Sequence, residues 1–251
     1  MGNSGAYERM VAAELQAWRK RLLQRPGILE RSAKLLNHWT NRVIPERIQQ
    51  ILTTGVKGMV HASLFTAKFL PGNPIAGGKT LEEKDAHAKA VISRYKRVAS
   101  AEGAGTGAGG LLLGLADFPA LLAIKMKMLF ELAGHYGFRA DDARERVFLL
   151  YVFQLAFSGY EHRLKVLERI EHWQETADGL PSGQAFYDEI NWRDFQQEYR
   201  DAIDFRKMLQ LVPGIGAAVG AWANYNLVED LGETAMNCYR MRILRQRAPA
   251  E

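Results

Sequence analysis

Six histidines, His38, His61, His87, His135, His162 and His172, are the residues best suited to move protons or hold a metal. None falls in an HExxH helix, and no ExxH pair of the di-iron bundle type occurs. Glu131/His135 and Glu168/His172 stand four apart, which suits a hydrogen bond on one helix face. Such pairs are ordinary surface partners, so no metal site is assigned. The one cysteine, Cys238, excludes an intrachain disulfide and any zinc site built from several thiolates. It sits among Met236, Tyr239 and Met241 at helical spacing, as a buried inert thiol does. There is no GxSxG nucleophile elbow.

Gly105-Thr106-Gly107-Ala108-Gly109-Gly110 matches GxGxxG letter for letter. Dinucleotide binding needs a strand before that motif, and Ala90 to Arg97 reads as helix. No Lys-Ser/Thr follows, so a P-loop is excluded too, and no cofactor is expected. The glycines fit close helix packing better. Gly103/Gly107, Gly105/Gly109, Gly110/Gly114 and Gly216/Gly220 are each four apart, which stacks small residues on one face. A helical glycine costs about 1 kcal/mol against alanine, so six within residues 102–114 need a close partner. The stretch opened by Gly214 and carrying Gly216 and Gly220 is the expected mate. Such a pair either packs inside a soluble core or forms membrane-active glycine-zipper helices.

Two polar residues interrupt apolar runs, and a basic collar follows them. Asp117 precedes Phe118-Pro119, where a helix N-cap accounts for it. Asn224 follows Trp222-Ala223 and could bond across the close contact or orient a ligand. Arg240 opens a basic collar continued by Arg242, Arg245 and Arg247. Asp117, Asn224 and Arg240 form the candidate polar site, and the collar is a candidate seat for anionic phosphates. Near the other end Arg19, Lys20 and Arg21 close the first helix and are candidate headgroup ligands with Arg242 and Arg245. Complementarity to a helix C-terminus explains the same charges without a ligand.

The elements that position these residues are helical throughout. The 251 residues are 47% hydrophobic and 24% charged, ordinary for a globular chain and too apolar for disorder. Mean hydropathy of −0.21 is too low for a polytopic membrane protein. Net charge is +5, but residues 1–100 hold 17 Lys/Arg against 7 Asp/Glu, and residues 101–238 hold 12 against 20. Basic ends flank an acidic middle. Either the ends meet acidic partners, or the parts pack and neutralise one another. Basic residues lack interleaved aromatics on one face, which argues against nucleic acid.

Tyr7, Val11, Leu15, Trp18 and Leu22 mark a first helix over 5–24, stopped by Pro26. A second is expected over about 28–43 and a third from Pro45. Pro71-Gly72-Asn73-Pro74 and Gly77-Gly78 form the clearest loop, dividing basic amphipathic helices in 1–75 from a core in 80–247. Thr80-Leu81-Glu82-Glu83 is a capping box opening a helix to about Ala101. Further helices are expected from Asp117 to Gly137, from Asp141 or Asp142 to Gly159, over 160–176, over 185–210, from Pro213, and over 224–246. No strand is signalled. The fold class is therefore all-α, a single multi-helix bundle with close-packed glycine-rich central helices.

The longest uncharged run, Met208 to Val228, is 21 residues but diluted by Asn, Gln, Pro and Gly, so a clean membrane span is not expected. Met1 to Met10 lacks the apolar stretch of a signal peptide, and Ala6 stands where myristoylation needs Ser or Thr.

Three stretches together carry a family likeness: Tyr7-Glu8 with Trp18; Ala101 to Gly110 with Ala116 to Leu122 and Tyr136-Gly137-Phe138; and Val212 to Gly220 with Asn224-Tyr225, Ala235-Met236 and Tyr239 to Leu244. On these the chain resembles the EcsC protein family, bacterial proteins related to one encoded beside an ABC transporter. The resemblance covers about residues 7–245 and makes 80–247 an EcsC-like helical core. It implies no defined reaction and supplies no catalytic residue. Asp117, Pro119, Asn224 and Arg240 match positions of its pattern. The expectation is a non-enzymatic protein peripheral to the cytoplasmic face of the inner membrane. Its partners would be anionic lipid or a transporter component. The alternative is a soluble enzyme or ligand-binding protein with a buried polar site near Asp117 and Asn224. Oligomeric state is left open.

Overall fold

A computed structural model describes residues 2–24, 79–108, 118–180 and 216–247. Among them are seven helices and no strand: α1 Gly2–Leu22, α2 Leu81–Ala108, α3 Phe118–Tyr136, α4 Ala143–Phe157, α5 Tyr160–Glu171, α6 Trp173–Asp178 and α7 Gly216–Arg247. The all-α expectation holds. The helices expected over 28–43, from Pro45 and over 185–210 lie outside the described residues, as do Pro213 and the Pro71–Gly78 loop.

Local chemistry sets the ends. Thr80 N–H donates to Glu83 Oε2 at 2.8 Å, and Glu83 N–H donates to Thr80 Oγ1 at 3.3 Å, the reciprocal capping box. Gly137 has φ 95°, and Phe138 N–H reaches back to the Ala133 carbonyl at 2.9 Å, closing α3 in a left-handed cap. Asp142, rather than Asp141, caps α4 through the Arg144 amide. Ser158-Gly159 separates α4 from α5, and His172 breaks the expected 160–176 helix into α5 and α6.

Two boundaries differ from expectation. α2 does not stop near Ala101 but runs on through Gly103, Gly105 and Gly107, and the helices expected on either side of residue 224 are one continuous α7. Propensity alone ends a helix at clustered glycines, whereas packing on a long neighbour carries it through. That neighbour is α7, whose contact with α2 is the most extensive among the described helices. α7 also packs on α1, α3, α4 and α5, so it is the central strut.

The α2–α7 pair is antiparallel. Arg240 meets Asp85, Gly232 meets Ile92, Glu229 meets Lys96 and Asn224 meets Glu102, each step along one helix matched by a step back along the other. Around them Phe130, Phe148, Phe153, Leu129, Leu149, Val228 and Leu231 close the core.

Candidate functional site

Charged and hydroxyl groups are buried where four helices meet. Asp85 shares a face of α2 with Leu81 and Ala88, at helical spacing, and is fully buried. Its Oδ1 accepts from the Tyr136 hydroxyl of α3 at 2.6 Å. Its Oδ2 accepts from the Tyr7 hydroxyl of α1 at 2.7 Å and from Arg240 Nε of α7 at 2.9 Å. Arg240 is itself 3% exposed, and its Nη1 donates to Glu14 at 2.9 Å and to the Asn237 carbonyl oxygen at 3.3 Å. Burial works against the Arg240 charge, and Asp85 overcomes it, so the guanidinium stays charged. Burial and the adjacent Asp85 carboxylate push Tyr7 up to about 12 and Tyr136 well above the usual phenol range. Every hydroxyl here remains protonated at neutral pH and serves as a donor.

A second carboxylate lies on the other side of α7. Glu145, 3% exposed in the first turn of α4, accepts from the Tyr239 hydroxyl and from Arg242 Nη1, each at 2.6 Å. Burial raises the Glu145 carboxyl against the opposing pull of Arg242 and Tyr239. The Arg242 guanidinium lies 4.0 Å from the centre of the Phe138 ring and 4.8 Å from that of Phe148, a desolvated cation–π seat. Tyr136 and Tyr239 stack at 5.1 Å, so the two networks adjoin through their rings.

The sequence-derived candidates are therefore distributed, not assembled. Arg240 and Asn224 are 16 residues apart on one helix, about 24 Å along its axis. Asn224, buried, donates its amide to Glu102 Oε2 at 2.9 Å, whereas Arg240 belongs to the Asp85 network. The polar site that joined them is thus two separate places, and Asp117 lies outside the described residues. The collar is divided as well. Arg240 and Arg242 turn inward to carboxylates, Arg247 pairs with Glu8, and Arg245 is exposed. At the end of α1, Arg19 pairs with Glu171 at 2.6 Å, Arg21 pairs with Glu233 at 3.2 Å, and Lys20 is exposed.

Of the glycine motif, Gly109, Gly110, Gly114 and Gly214 lie outside the described residues. Gly103 is buried in α2, Gly105 is exposed, Gly107 follows, and Gly216 and Gly220 open α7. A Cβ built on Gly105 meets nothing within 4 Å. Gly232 makes room for the α2–α7 contact: a Cβ there would stand 2.7 Å from Ile92 Cγ1.

His135 lies 3.7 Å from Glu131 as its spacing implies, and its ring stacks on His87 at 5.4 Å. Burial lowers the His135 pKa, partly offset by Glu131. His172 instead approaches Glu175, at 3.7 Å, because it forms the break between α5 and α6. Among the described residues no three His, Cys, Asp or Glu side chains gather as metal ligands. Cys238 is buried and its thiol is raised by that burial, as an inert thiol should be. Sequence reasoning missed Asp85 and Glu145, which sit in charged heptapeptides that read as solvated helix starts. Their one signal is that each acid falls in register with its helix's apolar stripe.

A family model described as the EcsC protein family matches residues 9–244. Protein EcsC of Bacillus subtilis (strain 168) is 44% identical over 239 residues, covering 95% of this chain and 97% of the relative. Uncharacterized protein YdbA of the same organism is 31% identical over 149 residues, 59% of this chain and 54% of the relative. No solved structure matches the chain. With the match spanning all seven described helices almost end to end, the chain belongs to the EcsC protein family.

Proposed function

We propose that the protein is a non-enzymatic, peripheral membrane protein of the cytoplasmic face, binding anionic lipid or serving as accessory to a membrane transport system. The observation that carries this reading is at one end of the α2–α7 pair. Trp222 is 56% exposed and Tyr225 38%, both in the uncharged run of α7, and Val98 of α2, 47% exposed, lies near their level in the antiparallel register. Trp and Tyr at the edge of an apolar element are the residues that settle at a membrane–water boundary. Lys96 lies over the Tyr225 ring at 4.2 Å, a cation at the same level. Among the described residues no helix is long and apolar enough to cross a membrane, so the contact proposed is an insertion of the tip.

The test is flotation of the full chain with vesicles of phosphatidylglycerol and phosphatidylcholine at low salt. Co-flotation with the anionic vesicles, weakened by Trp222→Ala, is the expected result. A chain that stays at the bottom of the gradient with every vesicle composition ends the proposal.

A further inference from the structure

A cleft of about 650 Å³ opens between α1, α2 and α7. Small-molecule sites occupy about 300–1,000 Å³, so its size admits one modest ligand. Arg240 lies at its floor. Two nitrogens of the guanidinium hold the buried Asp85 at 2.9 Å each, which leaves Nη1 as the edge facing the cleft. Nη1 is satisfied from inside the chain by the Asn237 side-chain oxygen and by Glu14, whose side chain is 50% exposed and comes from the α1 rim. Arg240 is buried, so the exposed Glu14 is the member of this pair that can turn away into water. Arg240 thus has the form of a preorganised oxyanion seat, buried and held in place by Asp85, with a surface carboxylate occupying it.

The remaining charge in the cleft fits an anion. Glu229 and Glu233 on its walls are engaged by Lys96 and Arg21. Lys89 also lines the cleft, is exposed, and has no ion pair among the described residues. With Glu14 swung aside, Arg240 is balanced by Asp85 and Lys89 is left as one uncompensated positive charge. Trp18, Ile92 and Met236, all buried, give the cleft an apolar side.

The geometry points to a binding site for a phosphate ester, its phosphate displacing Glu14 from Arg240 and drawing in Lys89, its organic part against Trp18, Ile92 and Met236. A guanidinium and an ammonium lining one cleft are donors of the kind phosphate recognition uses. The phosphate belongs either to a small soluble ester or to a phospholipid headgroup. The phosphate seat at Arg240 is 18 residues from Trp222, about 27 Å along α7, while the other end of the cleft reaches Lys96, which also lies over Tyr225 of the proposed membrane contact.

The full chain is titrated calorimetrically with glycerol 3-phosphate and floated with phosphatidylglycerol vesicles, as wild type, Glu14→Gln and Lys89→Glu. Both positions are exposed, and unchanged melting temperatures establish that the fold is intact. Glu14→Gln, which removes the internal competitor, tightens binding up to about fivefold. Lys89→Glu weakens it about tenfold or more. These responses with the soluble ester assign it as the source of the phosphate; the same responses in flotation alone assign a lipid headgroup. If neither substitution changes the binding of either probe, or neither probe binds at all, the cleft is not a phosphate site. Flotation that both variants keep and Trp222→Ala loses overturns the cleft and leaves the membrane reading standing. Ester binding by a chain that never floats does the reverse.

Discussion

At Gly232 the side chain of Ile92 leaves no room for a methyl group: its Cγ1 would be 2.7 Å away and both Cδ1 and Cγ2 2.9 Å. Ile92 is β-branched and buried, so it has few rotamers into which to retreat. Gly232→Ala is expected to destabilise by about 1–3 kcal/mol through overpacking. Gly105→Ala meets open space and is expected to stabilise by about 0.5–1 kcal/mol, the ordinary helix gain. Thermal melts followed by helical circular dichroism separate the two; a Gly232→Ala melt that coincides with wild type refutes the packing argument. The spacing rule that singled out Gly103 to Gly114 had no purchase on Gly232, which stands alone between Leu231 and Glu233. Its partner is 140 residues away, and no local pattern announces a contact at that separation. Asp85 was hidden for the opposite reason. It ends the run Glu82-Glu83-Lys84-Asp85, where three neighbours are solvent-facing or half-buried and only the fourth points inward.

Between elements the ties are tyrosine hydroxyls on carboxylates: Tyr7 joins α1 to α2, Tyr136 joins α3 to α2, Tyr239 joins α7 to α4, and Tyr95 joins α2 to Glu131 of α3. All four phenols are raised by burial first and by the neighbouring carboxylate second, Tyr7 and Tyr95 to about 12. A group raised above its unfolded value contributes stability that is complete below the unfolded pKa and is lost as pH rises through the folded one. The helices should therefore hold to about pH 10 and come apart as pH passes 10 towards about 12. The tyrosinate absorbance of these four phenols, the part of the signal beyond the chain's five other tyrosines, is expected to grow together with loss of helical signal. Tyr7→Phe should lower stability at neutral pH by about 1.5–3 kcal/mol, the range for a hydrogen bond to a charged group, and flatten the alkaline slope. Ionisation of all nine tyrosines near pH 10 with the helices intact would contradict the burial. Element starts and stops at Thr80, Gly137 and Asp142 were legible because capping is local chemistry. The extension of α2 to Ala108 and the fusion of α7 were not, because each helix is prolonged by the other.

Among the described residues, charges of the basic ends are compensated within the fold. α1 runs antiparallel to α7 through Arg21–Glu233, Arg240–Glu14 and Arg247–Glu8, and Arg19 reaches Glu171 of α5. Of the two readings that the charge asymmetry allowed, internal neutralisation accounts for these cations, and attraction to a membrane must draw on others. Orientation narrows the choice. Trp222 and Arg245 are 23 residues apart on α7, about 35 Å along the axis. The Debye length at 0.1 M salt is about 10 Å, so a bilayer touched by Trp222 is electrostatically remote from Arg245. Tip and collar therefore cannot serve one upright contact, although the sequence left a membrane role open for both the glycine-rich helices and the collar. If the tip inserts, Trp222→Ala removes a large apolar side chain from the interface, worth about 1.5–3 kcal/mol, and vesicle affinity falls about tenfold or more. Arg245→Glu then leaves affinity within about twofold of wild type. If the basic end docks instead, the ranking inverts. Reversing Arg245 would remove one attractive charge of about 1 kcal/mol and add a repulsive one, while Trp222→Ala would have no effect. Flotation of the two variants beside wild type, at matched salt, decides which end of α7 the membrane meets.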